Sequence, residues 1–378
     1  MLGWKDIRQM TAREIALQLG VIVLIVVIIV SAYQSAQYNL TRLGITSGFS
    51  FLDRDTGWSY SFSLLERSID DTYRKTLLIG FLNTIFVGFI SIIFATILGF
   101  LIGTARDSRN LGLSTAASVY IQIFRNIPLI LQVVFLYAIL IHFPGPKQAY
   151  ALGDVIFMSN RGIMVPVFNM PLWSAGAAAG LSILAGIVLF HVNKSMLRAA
   201  LLTLTATVVA FAVMLLLTRP EGEPLISVPF LKGLRFREGG TISVELAAMI
   251  VGIVLYGAAY IGEVVRGGLA AVNKGIVEAG GSLGLSPFAI WWTLKVPMAL
   301  RSIVPPLGNQ WIFIMKATTV GVAIGFSDLF YIVSTSITQS GQTLELIGIL
   351  MGAFLMVNFA LAQAINWLNR RLALKGYG

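Results

Sequence analysis

Apolar runs of about twenty residues recur along the chain, and at 1.5 Å per residue each matches the roughly 30 Å hydrocarbon core of a bilayer. The first extends from Ile15 to Tyr33 and the second from Leu77 to Ile102. Lipid offers the backbone no hydrogen-bond partner, so these runs have to satisfy their own amides and carbonyls as helices. The expected fold class is all-α: a polytopic membrane protein with about 8 transmembrane helices. Composition agrees, with 57% hydrophobic and 12% charged residues, where an average soluble domain has about a quarter charged. The chain has no cysteine, which removes disulfides and thiolate metal sites. His142 and His191 are too far apart in the chain to suggest a ligand pair. A net charge of +10 raises nucleic acid as a partner. The basic residues, however, sit in loops flanking the apolar runs, where they act as topology signals and lipid headgroup contacts. No nucleic-acid partner is expected.

Lys5, Arg8 and Arg13 precede the first run. It is long for a signal-peptide core and no small-x-small cleavage site follows, so it is read as a transmembrane helix with a cytoplasmic N-terminus. The polar stretch 34–75 is expected as an outer loop, and Leu77–Ile102 ends in the basic turn Arg106–Arg109. The third span, about Ala117–Ile141, is interrupted at Arg125-Asn126-Ile127-Pro128. Residues 142–172 and 218–241 are expected as further outer loops around the spans Trp173–Phe190 and Ala199–Leu217, which His191–Arg198 joins. The sixth span runs from Ile242 to an end between Val265 and Val272. Ile303–Gly325 and Leu344–Leu368 complete the set, with 326–343 as an outer loop and Arg370, Arg371 and Lys375 following. An even number of spans puts both termini on one side, and the loop charges lean weakly the same way. No internal repeat stands out, which disfavours inverted-repeat transporters.

Charged residues inside the runs are the candidates for function. Arg125 lies roughly 12 Å from the start of its span, near mid-bilayer, where a charge costs about 2.5–3.5 kcal/mol and has to face the bundle interior or a wet cavity. Its plain alternative is a structural arginine paired with a carboxylate or a helix end. Pro128 removes a backbone hydrogen bond and biases Ile127 away from helix, so it favours a break there. Glu263 and Arg266 are neighbours on one helix face. They form an interfacial pair if the span stops near Val265; if it continues, Glu263 lies inside and can meet a substrate ammonium. Asn309, Gln310, Lys316, Thr318 and Thr319 form a polar stripe beyond an expected kink at Pro305-Pro306. Lys316 can instead snorkel to the outer surface. No GxxxxGK[ST] or HExxH motif occurs, so the chain is not expected to be an enzyme or to bind ATP through a phosphate loop.

Between the sixth and seventh spans lies Glu278–Pro297, a polar stretch with Gly280, Gly281 and Gly284. Ser286-Pro287 reads as an N-cap and first-turn proline opening a short second helix with Phe288, Ile290, Trp291, Trp292 and Leu294. A helix–turn–helix foot has the shape of a docking element; its plain reading is a cytoplasmic loop with interfacial tryptophans.

Glu278, Ala279, Gly284, Leu294, Val296 and Pro297 resemble the EAA loop of ABC-importer permeases, with Gly280 in place of the third alanine. The flanks Ala259–Gly268, Ala299–Asn309 and Lys316–Thr319 look like the polar amino-acid branch that includes the histidine and glutamine permeases. Arg125–Gln132 is similar to that branch's Arg-Gly-Thr-Pro segment, departing at Asn126 and Ile127. The likeness covers 77–141 and 243–370 and implies a type I importer permease core of five helices, to which three extra helices are added. Four segments follow: 1–76, with the first helix; 77–141; an insertion at 142–242; and 243–378, with the coupling loop at 266–301. That long layout is similar to the Q-type permease subunit of general L-amino-acid importers.

The resemblance implies a permease in the bacterial inner membrane that moves L-amino acids from periplasm to cytoplasm. Its implied partners are an ABC ATPase dimer carrying ATP and Mg, a second permease, expected as a paralogue, and a periplasmic amino-acid-binding protein. No cofactor is expected on this chain itself. Glu278, Ala279, Gly284, Ser286, Pro287 and Pro297 would couple to the ATPase. Arg125 or Lys316 would meet the ligand's carboxylate and Glu263 its ammonium, with Asn126, Arg266, Asn309, Gln310, Thr318 and Thr319 along the pathway. The rival is an ion-coupled secondary transporter or channel without ATPase subunits, which has no need of such a foot. A membrane scaffold without transport would leave a mid-membrane Arg125 unexplained.

Overall fold

The apolar runs form helices, and two of them lie closer together than ordinary side chains allow. A computed structural model describes residues 12–42, 48–193, 196–233 and 235–372, so Lys5, Arg8, Lys194 and Lys375 fall outside it. Helix α1 (Ala12–Arg42) is exposed along nearly its whole length. Helix α2 (Tyr73–Arg106) is capped by Thr72, whose side chain accepts from the Lys75 N–H. It packs along α7 (Val244–Ala270). A Cβ on Gly103 would stand 2.5 Å from the Gly262 carbonyl oxygen, and one on Gly99 would stand 2.6 Å from Ile261 Cβ. Gly99-x-x-x-Gly103 is thus a small-residue seam of the kind that lets membrane helices approach closely.

The third span is two helices, α3 (Leu111–Asn126) and α4 (Leu129–Ile141), bent by 100°. Ile127 is extended and Pro128 follows, as the proline's demand on its predecessor requires. The break leaves carbonyls without a helical partner. Gln132 Nε2 takes up two of them, donating to Phe124 O at 2.9 Å and Ile127 O at 2.8 Å.

The two insertion segments, expected as outer loops, carry short strands. β1 (Tyr150–Leu152), β2 (Ile156–Ser159), β3 (Gly162–Val165) and, from the second loop, β8 (Gly240–Ile242) form an antiparallel sheet in that order. Gly162 is obligatory: its φ is +125°, and a Cβ there would meet the Ile242 carbonyl oxygen at 2.4 Å. β4 (Val167–Phe168) pairs with β5 (Ile226–Ser227), and β6 (Phe230–Lys232) with β7 (Arg235–Arg237). Between β4 and β5 rise α5 (Leu172–Val192) and α6 (Met196–Thr218), which pack mainly on each other. His191 and Phe190 at the end of α5 touch the ring of Trp367.

After α7 come the foot helices α8 (Lys274–Ser282) and α9 (Pro287–Ile290), then α10 (Val296–Ala317). Helix α10 is unbroken through Pro305 and Pro306, where a kink was expected. A 3₁₀ stretch (Thr318–Ile324) leads to α11 (Leu329–Ser340), and α12 (Thr343–Leu372) closes the described chain. Residues 326–343 are therefore not an open loop. Asp328 caps α11 by accepting from Tyr331 N–H, and Leu329, Ile332 and Val333 bury one face at helical spacing.

Among the described residues, six helices are long and apolar enough to cross a membrane; counting each of two bent pairs as one span gives eight. The main core lies among α2, α4, α7 and α10, around Met249, Ile253, Ile261, Ile303 and Ile314. A second cluster at the far end from the foot joins Phe51, Tyr73, Ile79, Leu329 and Leu346. The polar stretch before α2 is packed there rather than loose. Asn83 Nδ2 donates to Phe62 O and Ser327 O, and the Ser327 hydroxyl donates to Phe62 O.

Candidate functional site: the foot and the charged cavity

The foot is built by two caps and a left-handed glycine. Asn273 accepts from the Gly275 N–H at the start of α8. Gly284 takes φ +77° after α8, a conformation glycine adopts without Cβ strain. Ser286 accepts from the Ala289 N–H, and Pro287 sits in the first turn, as the sequence suggested. The second helix is not short, because α9 passes through a π turn, Trp291–Lys295, directly into α10. Pro297 has no N–H for the Thr293 carbonyl and its ring needs space there, which a widened turn supplies.

Glu278 and Ala279 are exposed, as are Pro287 and Pro297. So are several apolar side chains: Leu283 is 82% exposed, Phe288 73% and Trp292 53%. An apolar projection of this size is a surface awaiting a partner. Ile290 alone of the expected apolar set is buried, against Gly280. That glycine lets the two foot helices close up: a Cβ on it would come 3.0 Å from Leu294 Cδ1 and 3.2 Å from Ile290 Cγ1.

The expected pathway residues divide into groups. Arg125, Tyr260, Glu263, Gly267, Ser302 and Gln310 line one cavity of about 440 Å³. Arg125 is the next-to-last residue of α3, and its guanidinium carbon lies 5.0 Å from the Tyr260 ring centroid, a cation–π contact. Tyr260 accepts from the Tyr256 hydroxyl at 3.2 Å, and both rings pack near Phe313. Asn126 is exposed at the end of α3. Asn309 and Lys316 are exposed on α10, whereas Thr318 is fully buried and donates to Met315 O. Thr319 donates to Lys316 O. The polar stripe is thus interrupted at Thr318.

Helix α7 runs on to Ala270, which places Glu263 within it. Arg266 grips one carboxylate oxygen of Glu263 at 2.7 and 3.1 Å, and Arg106 of α2 pairs with the other. The second arginine was missed. Its signal was the basic turn at Arg106 following a small-residue seam. Also missed was Asp107, which pairs with Lys295 of the foot. Around the cavity three guanidinium groups face one carboxylate. Among the described residues no cluster of three or more His, Cys, Asp or Glu side chains could hold a metal.

The sequence itself has relatives. Residues 95–374 match the family of binding-protein-dependent transport system inner membrane components. The chain belongs to that family. Over 96% of its length this inner membrane component is 36% identical to the putative amino-acid ABC transporter permease protein YhdX of Escherichia coli, across 95% of that protein. It is 34% identical to the general L-amino acid transport system permease protein AapQ of Rhizobium johnstonii, over 96% of this chain and 92% of that one. It is 29% identical to the glutamate/glutamine/aspartate/asparagine transport system permease protein BztB of Rhodobacter capsulatus, over 96% and 94%. As a binding-protein-dependent inner membrane component it is a multi-pass transport subunit rather than an enzyme in its own right.

Proposed function

We infer that this chain is the permease subunit of an ATP-driven ABC importer that carries L-amino acids, across a broad and mostly polar range, from periplasm to cytoplasm. The observation that carries the ATP-driven reading is the foot, on which Leu283, Phe288 and Trp292 are exposed together with Glu278 and Ala279. Such a surface fits a groove on a cytoplasmic ATPase dimer, which carries the ATP and Mg. An ion-coupled transporter has no use for it, and the family membership gives that rival no support. The substrate class is supported by the full-length likeness to YhdX and AapQ.

In this reading the termini and the foot are cytoplasmic. A periplasmic binding protein delivers the amino acid at the far end, over the β strands of the insertion and the packed segment before α2. A second permease, a paralogue, completes the pathway. Closure of the ATPase dimer moves the foot, and the foot rocks α7 and α10 around the cavity. Arg125, stacked on Tyr260 and exposed to the cavity, meets the ligand's carboxylate, with Lys316 further along α10. An ammonium competes with Arg106 and Arg266 for the Glu263 carboxylate, so Glu263 binds it best as those arginines let go.

The test is uptake of labelled amino acids into proteoliposomes holding the complex purified through this chain. We expect uptake to require ATP and to collapse in Glu278→Arg with the complex still assembled. Arg125→Ala should lower uptake about ten-fold or more, the loss expected for a charged hydrogen bond. Uptake indifferent to ATP and to Glu278 would overturn the importer reading; full uptake in Arg125→Ala would remove the carboxylate assignment alone.

A further inference from the structure

Two consecutive residues at the end of α2 pair with different elements. Arg106 pairs with Glu263 at the charged cavity, and Asp107 pairs with Lys295 in the π turn of the foot. Neither pair is a loose surface contact: the side chains of Asp107 and Lys295 are 19% and 23% exposed, those of Arg106 and Glu263 23% and 28%. The backbone between them is held as well. The Asp107 N–H donates to Gly103 O, on the seam with α7, and Ser114 of α3 donates its hydroxyl to Arg106 O. Between this turn and the foot lies a cavity of about 570 Å³, lined by Asp107, Arg109, Glu278 and Trp291 among others. Asp107 and Lys295 both line it, and their ion pair ties the turn to the foot there.

We propose that Asp107 is a positioning residue for coupling: through Lys295 it makes α2 follow the foot, so that foot movement also shifts Arg106 against Glu263. Without the pair the foot still drives α7 and α10, between which it is strung, but it loses its direct hold on the end of α2. Arg106 then moves against Glu263 only through the seam between α2 and α7. ATP would still be hydrolysed, and fewer substrate molecules would cross per ATP. The inference rests on the reading of the foot as the ATPase dock.

The experiment measures ATP hydrolysis and uptake of labelled L-glutamate, L-glutamine and L-histidine by the intact complex in proteoliposomes. Asp107→Lys and Lys295→Asp should each lower uptake per ATP about ten-fold in an assembled, ATP-hydrolysing complex, and the two together should recover at least about half, as a direct pair requires. Asp107→Glu should stay near the unaltered ratio. An unchanged ratio in the single variants, or no recovery in the reversed pair, would overturn the proposal. If the reversals prevent assembly, the chain's lack of cysteine allows a second measurement. Asp107→Cys with Lys295→Cys should regain uptake per ATP when bridged by a short bifunctional maleimide, and no gain on bridging would overturn it. Failure of the underlying reading shows separately, as ATP-independent uptake by the unaltered complex.

Discussion

At the scale of single residues, glycine and one carboxylate do much of the specification. Gly280 replaces an alanine of the EAA pattern, yet the space above it is tight rather than closed, since the nearest atom is the flexible tip of Leu294. Gly280→Ala should therefore assemble normally and gain up to about 1 kcal/mol of local helix stability, read as a higher thermal midpoint of the complex. Gly280→Phe should detach the ATPase, because Ile290 and Leu294 cannot clear a ring. Asp71, just before α2, accepts from Lys75 Nζ at 2.7 Å and from the Ser68 N–H at 2.9 Å. The Lys75 hydrogen bond first, then the Ser68 amide, hold its carboxyl below the usual carboxylate range. A lowered pKa stabilises the fold fully above the unfolded chain's value and ceases to do so as pH falls through the lowered one. Thermal midpoints of the unaltered chain and Asp71→Asn should differ at neutral pH and converge below the ordinary carboxylate range; a constant difference would show that the charge is not what matters.

At the scale of elements, the break between α3 and α4 shows how far sequence reasoning reaches. Pro128 marks the place, because a missing N–H and a constrained predecessor are local facts. The 100° turn is not local. It depends on Gln132 reaching back to two carbonyls, and on Leu129 and Val133 packing into the core. Gln132→Ala would leave those carbonyls without their donor, at a cost of about 1–3 kcal/mol. We expect a lower thermal midpoint and reduced uptake, with Gln132→Glu no better because a carboxylate donates nothing. The stretch 326–343 gives the reverse case. Its apolar residues at helical spacing and its Asp328 cap were in the sequence, but Ser, Thr and Gln between them masked a helix that burial alone reveals.

At the scale of the whole molecule, the α5–α6 hairpin is an appendage with its own closure. β4 and β5 pair at its base, Phe168 opposite Ile226, so the two chain ends there are already adjacent. Replacing residues 170–224 by an Asn-Gly turn removes two spans and preserves the sidedness of everything after them. The shortened chain should still bring down the ATPase, with a thermal midpoint within a few degrees; loss of the core would show that the hairpin is structural.

The sequence by itself determined that the chain is a helical membrane protein with a glycine-bearing helix–turn–helix between two of its spans. Those conclusions follow from hydropathy, caps, glycines and prolines, which act within a few residues. Only the tertiary structure decided which charges meet. Arg106 and Glu263 lie 157 residues apart, and Asp107 and Lys295 188 apart. No local preference links such pairs; they form because Gly99, Gly103 and Gly262 let α2 and α7 pack closely, and because the π turn at Trp291–Lys295 brings Lys295 to the end of α2.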